Sequence, residues 1–571
     1  MRVSANGGAF RARAIAGSYV VVLAWDTLDG TPPPRTDLLG FAIERSELDV
    51  TDKVVEQYWL RGIKRFRDKD KGLPPGTPVP TADHPIQAFQ WGDYTVHAGT
   101  KYRYRIVPVC GTPKHLQLVD ADGVTVDVTT EATGAPDTGT IRHDVFFNRG
   151  VIGSQAYARE FGNRAPNPDD PLSPEMVWLS RGLYEALRGF IALAKDGFKL
   201  RGAFYEFHYQ PVVNAFAAAI QAGADVKIVF DAESTYKADN LAAIGRAGLK
   251  EYDAVIPRTV TEGIRHNKFM VLMKGEEPLA VWTGSTNISA GGIFGHSNAA
   301  HVVWDKDVAQ TYLDYWELLA KNLTPTKLRG PVRTATPTPA GKPPKNSVVP
   351  LCSPRDDKDS NVTLQWYADR MNDAKEIACI TVAFNLDEVF QTVIAQDNDV
   401  LRYIVKDDDL ATGETIGNDH DVFFAAGGYL GEGALENFLK ERDNPLNSNN
   451  YIHTKFMLVD PLRADPVVVT GSANFSKAST DTNDENMVVI RGDMRVADIY
   501  LGEYMRLYSH YAFREAVKIA MEKKQAGTPE EWTPQYLAED DGWMAPYFDP
   551  NDRGARNARR RYFGGPMSVQ A

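Results

Sequence analysis

One pattern is written twice in this chain. Ile264-Arg265-His266-Asn267-Lys268-Phe269-Met270, followed by Thr283-Gly284-Ser285-Thr286-Asn287, returns as Ile452-His453-Thr454-Lys455-Phe456-Met457, followed by Thr470-Gly471-Ser472-Ala473-Asn474. The copies lie 187 residues apart both at the histidine (266 to 453) and at the glycine (284 to 471). A duplication kept in register over that span calls for two related halves with the same internal order. Val308-Ala309-x-x-Tyr312-Leu313 also returns as Val496-Ala497-x-x-Tyr500-Leu501, at an offset of 188, so one loop residue has been inserted between the motifs.

Successive side chains of a strand face opposite ways, so His266 and Lys268 share a face, as do Ser285 and Asn287, and likewise His453 with Lys455 and Ser472 with Asn474. If the halves pack about a pseudo-twofold axis, two histidines, two lysines and two asparagines surround one cavity. Its cationic and amide donors suit the non-bridging oxygens of a phosphate. Two facing imidazoles suit a two-step displacement: a neutral ring attacks phosphorus while a protonated ring gives its proton to the leaving alkoxide and then activates water. The lysines hold the developing charge, so neither a metal nor another cofactor is called for. HExxH and CxxC are absent, and Cys110, Cys352 and Cys379 are odd in number and widely spaced, against a zinc site or a disulfide framework. Phe269, Met270, Phe456 and Met457 read as core packing between the site residues.

The formal charge of −12 disfavours extended nucleic acid as a partner, because such binding depends on neutralising many phosphates. No run of about 18 apolar residues occurs, so any membrane contact is expected to be peripheral. Arg2, Arg11 and Arg13 before Tyr19–Trp25 faintly imitate a secretory leader, but the run is short and reads better as a buried strand. Cytoplasm is the expected location, with secretion the lesser alternative.

Residues 1–138 read as an all-β sandwich: short alternating runs at 20–25, 41–45, 101–109 and 124–128 are separated by Gly, Pro and Asp. Ala98-Gly99-Thr100-Lys101-Tyr102-Arg103-Tyr104 resembles the turn and strand of fibronectin type III domains, with a tyrosine corner, and Trp25 reads as a core tryptophan. Residues 139–325 form the first α/β repeat. Periodicity predicts one helix over 175–194, a strand at 200–207, a helix at 212–222, a strand at 226–230, strands at 269–272 and 280–282, and a helix at 307–320. The proline-rich stretch 326–348 reads as a semi-rigid linker without a core. The order then repeats over 349–525, and 526–571 is an extension whose cluster Arg553, Arg556, Arg559, Arg560 and Arg561 reads as a solvated tail or an arm paired to an acidic body.

The paired motifs resemble those of the phospholipase D superfamily, HxKxxxxD and GSxN once per half, over about residues 140–525. That resemblance implies a two-lobed α/β fold, a metal-independent phosphohistidine mechanism and lipid degradation. Phe146-Phe147-Asn148-Arg149-Gly150 looks like a stretch from a bacterial branch with an N-terminal β domain. The second motif is complete, with Asp460 in the acidic position, whereas Met273 stands at the first; tyrosyl-DNA phosphodiesterases of the same superfamily share that departure and stay active. Glu485 and Asn298 stand 32 residues after His453 and His266. Placing Glu485 beside His453 and Asn298 beside His266 favours a charged His453 as general acid and a neutral His266 as nucleophile.

The site expected on these grounds is His266, Lys268, Asn287, His453, Lys455 and Asn474, supported by Ser285, Asn298, Asp460, Ser472 and Glu485. His296 and His301 could line it, and Tyr205, Glu206, Phe207 and His208 are candidates around it. The expected activity is a phosphodiesterase hydrolysing, or transferring to an alcohol, a phospholipid or related diester. A nuclease or nucleic-acid end-processing enzyme and a catalytically inactive scaffold are the alternatives. One chain suffices for a complete site, so a monomer is enough.

Overall fold

The computed structural model describes every residue except 34, 75, 135–141, 152, 358–359, 418, 429–440, 442, 447–450, 526–535 and 567–571. The N-terminal region is all-β. One sheet runs, in spatial order, Arg2–Asn6, Phe10–Ala16, Val21–Thr27 and Gln90–Asp93; the other is built on Leu38–Leu48 and Lys101–Thr112, flanked by Val54–Trp59, His115–Leu118 and Val124–Thr129. Their inner faces share a core in which Trp25, Phe41, Tyr102 and Tyr104 are fully buried. The Tyr102 hydroxyl accepts the backbone N–H of His97 at 2.9 Å, the upstream contact that a tyrosine corner makes. The expected domain limits at 138 and 525–526 fall outside the described residues or at their edge.

Among the described residues the α/β region holds two seven-stranded sheets. The strands of the first are β1 (Arg142–Phe147), β2 (Phe198–Phe204), β3 (Asp225–Asp231), β4 (Val255–Arg258), β5 (Lys268–Lys274), β6 (Glu277–Gly284) and β7 (Ala299–Trp304). Those of the second are β8 (Ser347–Ser353), β9 (Ile377–Val382), β10 (Leu401–Lys406), β11 (Val422–Ala426), β12 (Phe456–Val459), β13 (Val467–Gly471) and β14 (Glu485–Arg491). The spatial order is β1-β7-β6-β5-β2-β3-β4 in one lobe and β8-β14-β13-β12-β9-β10-β11 in the other, so every strand has a counterpart seven places on. Central strand β5 between Lys268 and Lys274, and β12 throughout, are apolar because helices or the opposite lobe cover both faces.

That double coverage joins the lobes. Phe269, Val271 and Met273 of β5 share one core with Phe456 and Leu458 of β12, while the alternate residues Met270 and Leu272 pack into the first lobe's own core. Helices Lys306–Ala320 and Met494–Gln525 contribute Tyr312, Tyr315, Tyr500 and Tyr504 to the shared layer. The ion pair Arg258–Asp484, with both side chains almost completely buried, crosses from lobe to lobe.

Two expectations change and a third is narrowed. The helix read over 175–194 is two helices, Pro174–Ser180 and Leu183–Ala192, broken where Arg181 (φ 48°) and Gly182 (φ 90°) turn left-handed. The proline-rich linker contains helix Pro325–Ala335, started by Pro325 at its first turn, and it buries Leu328 and Val332 in the shared core. Composition alone hid two apolar residues four apart on one helix face. Of the two readings of the C-terminal arginines, the paired arm holds: helix Arg556–Gly564 docks on the β domain, where Arg560 pairs with buried Asp26 and Gly564 lies against the Trp25 backbone.

Candidate active site

The two motif strands carry their polar residues to one end of the sheets, where the lobes meet. Gly284 and Gly471 are needed there: a Cβ would fall 2.3 Å from the Ala299 oxygen in one lobe and 2.2 Å from the Asn486 oxygen in the other. The next residue clamps the same neighbour. Ser285 Oγ accepts the Ala299 N–H and Ser472 Oγ the Asn486 N–H, each at 3.0 Å. The two serines therefore hold the start of β7 and β14 and do not face the histidine pair directly.

Those strand starts cross to the other lobe. Ser297 N–H donates to the Tyr451 carbonyl at 2.9 Å and His453 N–H to the Ser297 carbonyl at 3.1 Å; in the mirrored place Asp484 N–H donates to the Ile264 carbonyl at 2.8 Å. Ring pairing follows from this exchange. His266 Nδ1 lies 2.9 Å from Glu485, and His453 Nδ1 lies 3.0 Å from Asn298 Oδ1. The expected pairing is thus reversed, because each lobe orients the other lobe's histidine. Glu485 also accepts Ser472 Oγ–H at 2.6 Å and Ser479 Oγ–H at 3.2 Å.

The imidazole centroids of His266 and His453 are 6.3 Å apart, and both rings are buried. Lys268 and Lys455 fold back so that each ammonium donates to the carbonyl of the histidine two residues before it. Asn287 donates to Glu206, and Asn287 and Asn474 each leave a buried Oδ1 without a protein partner. Burial lowers His266 to about 4 against the pull of Glu485, and lowers Lys268 to about 7. Burial, followed by the charges of neighbouring cations, holds His453 and Lys455 well below their ordinary ranges. An arriving anion supplies the charge that these cationic groups lack.

Tyr205 stands against the His266 ring at 5.1 Å, and its own ring lies 5.2 Å from the Lys268 ammonium. His296 lies tilted against His453 with ring centroids 4.6 Å apart, whereas His301 bonds His143 and Tyr500 inside the core. Two acids at strand ends were not foreseen as site supports. Asp231 pairs with Arg265, and Asp407 accepts the Tyr451 and Ile452 N–H groups, so each holds the segment just before a histidine. Their sequence signal was a carboxylate directly after a β-branched strand in both halves.

Asp460 sits at the far end of β12 from Lys455. Its carboxylate accepts the N–H groups of Lys375, Glu376 and Ile377 and so anchors the start of β9, outside the reaction centre. In the first lobe β5 continues through Met273, whose side chain packs in the shared core. Met273→Asp is therefore expected to cost about 3 kcal/mol or more by burying a carboxylate, read as a lower urea midpoint, with no gain in turnover. Among the described residues the grouping suited to a metal is Asp419, His420 and Asp421, consecutive at the entry to edge strand β11 and apart from the histidine pair.

Residues 187–319 and 369–507 match the family described as cardiolipin synthase, PLD-like domain. The mitochondrial cardiolipin hydrolase of Xenopus tropicalis is 33% identical over 93 residues, which cover 16% of this chain and 40% of that protein. The chain thus spans well under half the length of this curated relative. Among solved structures, phosphatidylserine synthase of Haemophilus influenzae Rd KW20 is 13% identical with a TM-score of 0.40, over 61% of this chain and 92% of that one. The phospholipase D family member Nuc of Salmonella typhimurium is 25% identical with a TM-score of 0.21, over 24% of this chain and 87% of that one. Two segments of the chain, one in each half of its α/β region, thus match the PLD-like domain model, and together the halves form a two-lobed phospholipase D-like fold behind an all-β region.

Proposed function

We propose that this protein is a metal-independent phosphodiesterase of the phospholipase D type, acting on a phospholipid or closely related diester through a phosphohistidine. The observation that carries the reading is the pair of buried imidazoles 6.3 Å apart, one from each lobe, with Lys268 and Lys455 close enough to act on the charge of both rings. His266 Nε2 attacks phosphorus, the bond to the leaving alcohol breaks, and His453 gives that oxygen its proton. Water then attacks phosphorus, His453 takes a proton from it, the P–N bond breaks and a phosphomonoester leaves. An alcohol in place of water gives transfer.

The reversed pairing removes the ground on which His266 was first assigned, since a carboxylate raises the pKa of its partner ring. The charge of the intermediate restores the assignment. A phosphorylated imidazole carries positive charge and keeps Nδ1–H, which a carboxylate stabilises and an amide does not. The amide-paired His453 is the stronger acid once charged.

The match to the cardiolipin synthase family supports a lipid substrate. Phe384 adds to it: extending the β9–β12 register past the strand ends sets this residue level with His453, and its side chain is 52% exposed. In the same reading the β domain is fibronectin type III-like, on its strand order and the Tyr102 corner. A parallel assay of phosphatidylcholine, cardiolipin, bis(p-nitrophenyl) phosphate and single-stranded DNA in EDTA tests the function. Lipid turnover that persists in EDTA is expected; turnover of DNA alone would replace the lipid reading, and turnover of none would end it.

A further inference from the structure

A separate cavity, of about 830 Å³, opens between the β region, the first lobe and helix Met494–Gln525. It shares no residue with the histidine pair. Phe89, Trp91 and Tyr94 of the β region and Trp178 of the first lobe supply aromatic walls. The rest of the lining is rich in arginine, and its charges do not balance. Arg181 and Arg506 both spend their ion pairs on the single carboxylate of Glu503, at 2.8 and 2.6 Å, while Arg514 pairs with Glu441 at 2.6 Å.

Arg149 is left over. Its guanidinium lies 4.3 Å from the Trp178 ring centroid, its Nε has no acceptor, and among the described residues no carboxylate comes within ion-pair distance. Burial, with Arg181 and Arg506 adding to it, pushes Arg149 down to about 10, the response of a cation short of counter-charge. Nearby, His510 Nε2 and Arg514 Nε are also buried without partners. Arg159, exposed on helix Gln155–Phe161, lines the same cavity. Buried donors that lack acceptors are costly, and a planar guanidinium beside an aromatic face suits a phosphate attached to a flat or apolar body.

We infer that this cleft is a second anion site, which takes a phosphomonoester with an aromatic or apolar body, its phosphate against Arg149 and Arg159 and its body against Trp178 and the β-region aromatics. The site is independent of the catalytic reading, since it requires neither histidine.

Calorimetric titration of the full chain with 1-naphthyl phosphate, and with inorganic phosphate as a second arm, tests it. The wild type is expected to bind naphthyl phosphate at the cleft more tightly than inorganic phosphate. Arg149→Ala and Arg159→Ala are each expected to weaken that binding by about tenfold or more, the scale of a lost charge-assisted hydrogen bond. Arg159 is exposed, so its variant reports on binding even where Arg149→Ala fails to fold. Lys268→Ala/Lys455→Ala, which dismantles the catalytic anion site, is expected to keep the cleft binding. Wild-type affinity in both arginine variants, loss of all binding in the double lysine variant, or equal affinity for the two probes would overturn the inference.

Discussion

His453→Ala is expected to accumulate a phosphoadduct on His266, whereas His266→Ala forms none on His453. With a diester whose leaving group departs without protonation, such as bis(p-nitrophenyl) phosphate, the first step survives loss of the acid, but activation of water does not. The adduct should therefore build up at a rate close to the wild-type burst and decay slowly. On substrates with a poor leaving group both variants should lose turnover on the order of 10⁴-fold, because acid, base and nucleophile work as one unit. Intact-mass and peptide mapping at acid-avoiding pH read the adduct and its position. A stable adduct on His453 with none on His266 would exchange the two roles, and the exchange has a defined physical meaning: the carboxylate of Glu485 would then serve to charge His266 as the acid.

The duplicated motif made the two sheets legible, because identical residues at a fixed offset predict identical strand order, and the order does repeat strand for strand. Alternation was a weaker guide to the site: Lys268 opens β5, but His266, His453 and Lys455 lie just before β5 and β12, and all four are buried, as Phe269 and Phe456 are. Contacts between halves were not legible. Asn298 and Glu485 each stand 32 residues after a histidine, and local spacing assigns each to its own half; the backbone exchange at Ser297–Ile452 and Ile264–Asp484 sends both across instead. Only the register between lobes carries that information, and no residue within one half records it. The role of Asp460 was hidden for a similar reason: its partners are backbone N–H groups at 375–377, which any residue type provides. In the linker, proline frequency outweighed Leu328 and Val332, although a proline in the first turn is compatible with a helix.

Glu485→Gln is expected to lower turnover by about 10³- to 10⁴-fold while leaving the fold in place, the scale on which removing the charge of an imidazole-orienting carboxylate acts. The carboxylate receives three donors: the ring N–H of His266 and the hydroxyls of Ser472 and Ser479. An amide keeps one acceptor oxygen and turns the other into a donor, so it cannot satisfy all three, and one of its orientations forces the proton onto Nε2 of His266, where the lone pair is needed. The pH profile separates this from a packing defect. Burial lowers the His266 pKa and Glu485 raises it, so removing the carboxylate lowers it further and moves the acid limb of kcat/KM to lower pH. A variant that merely loosened the site would let water in, relieve the burial and move the limb up. Asn298→Asp supplies the converse: a carboxylate beside His453 raises that ring's pKa, shifts the basic limb of kcat to higher pH and weakens the acid, with slow leaving groups suffering most. An acid limb that rises in Glu485→Gln, together with a basic limb unmoved in Asn298→Asp, would show that the crossed partners do not govern the protonation of the two rings.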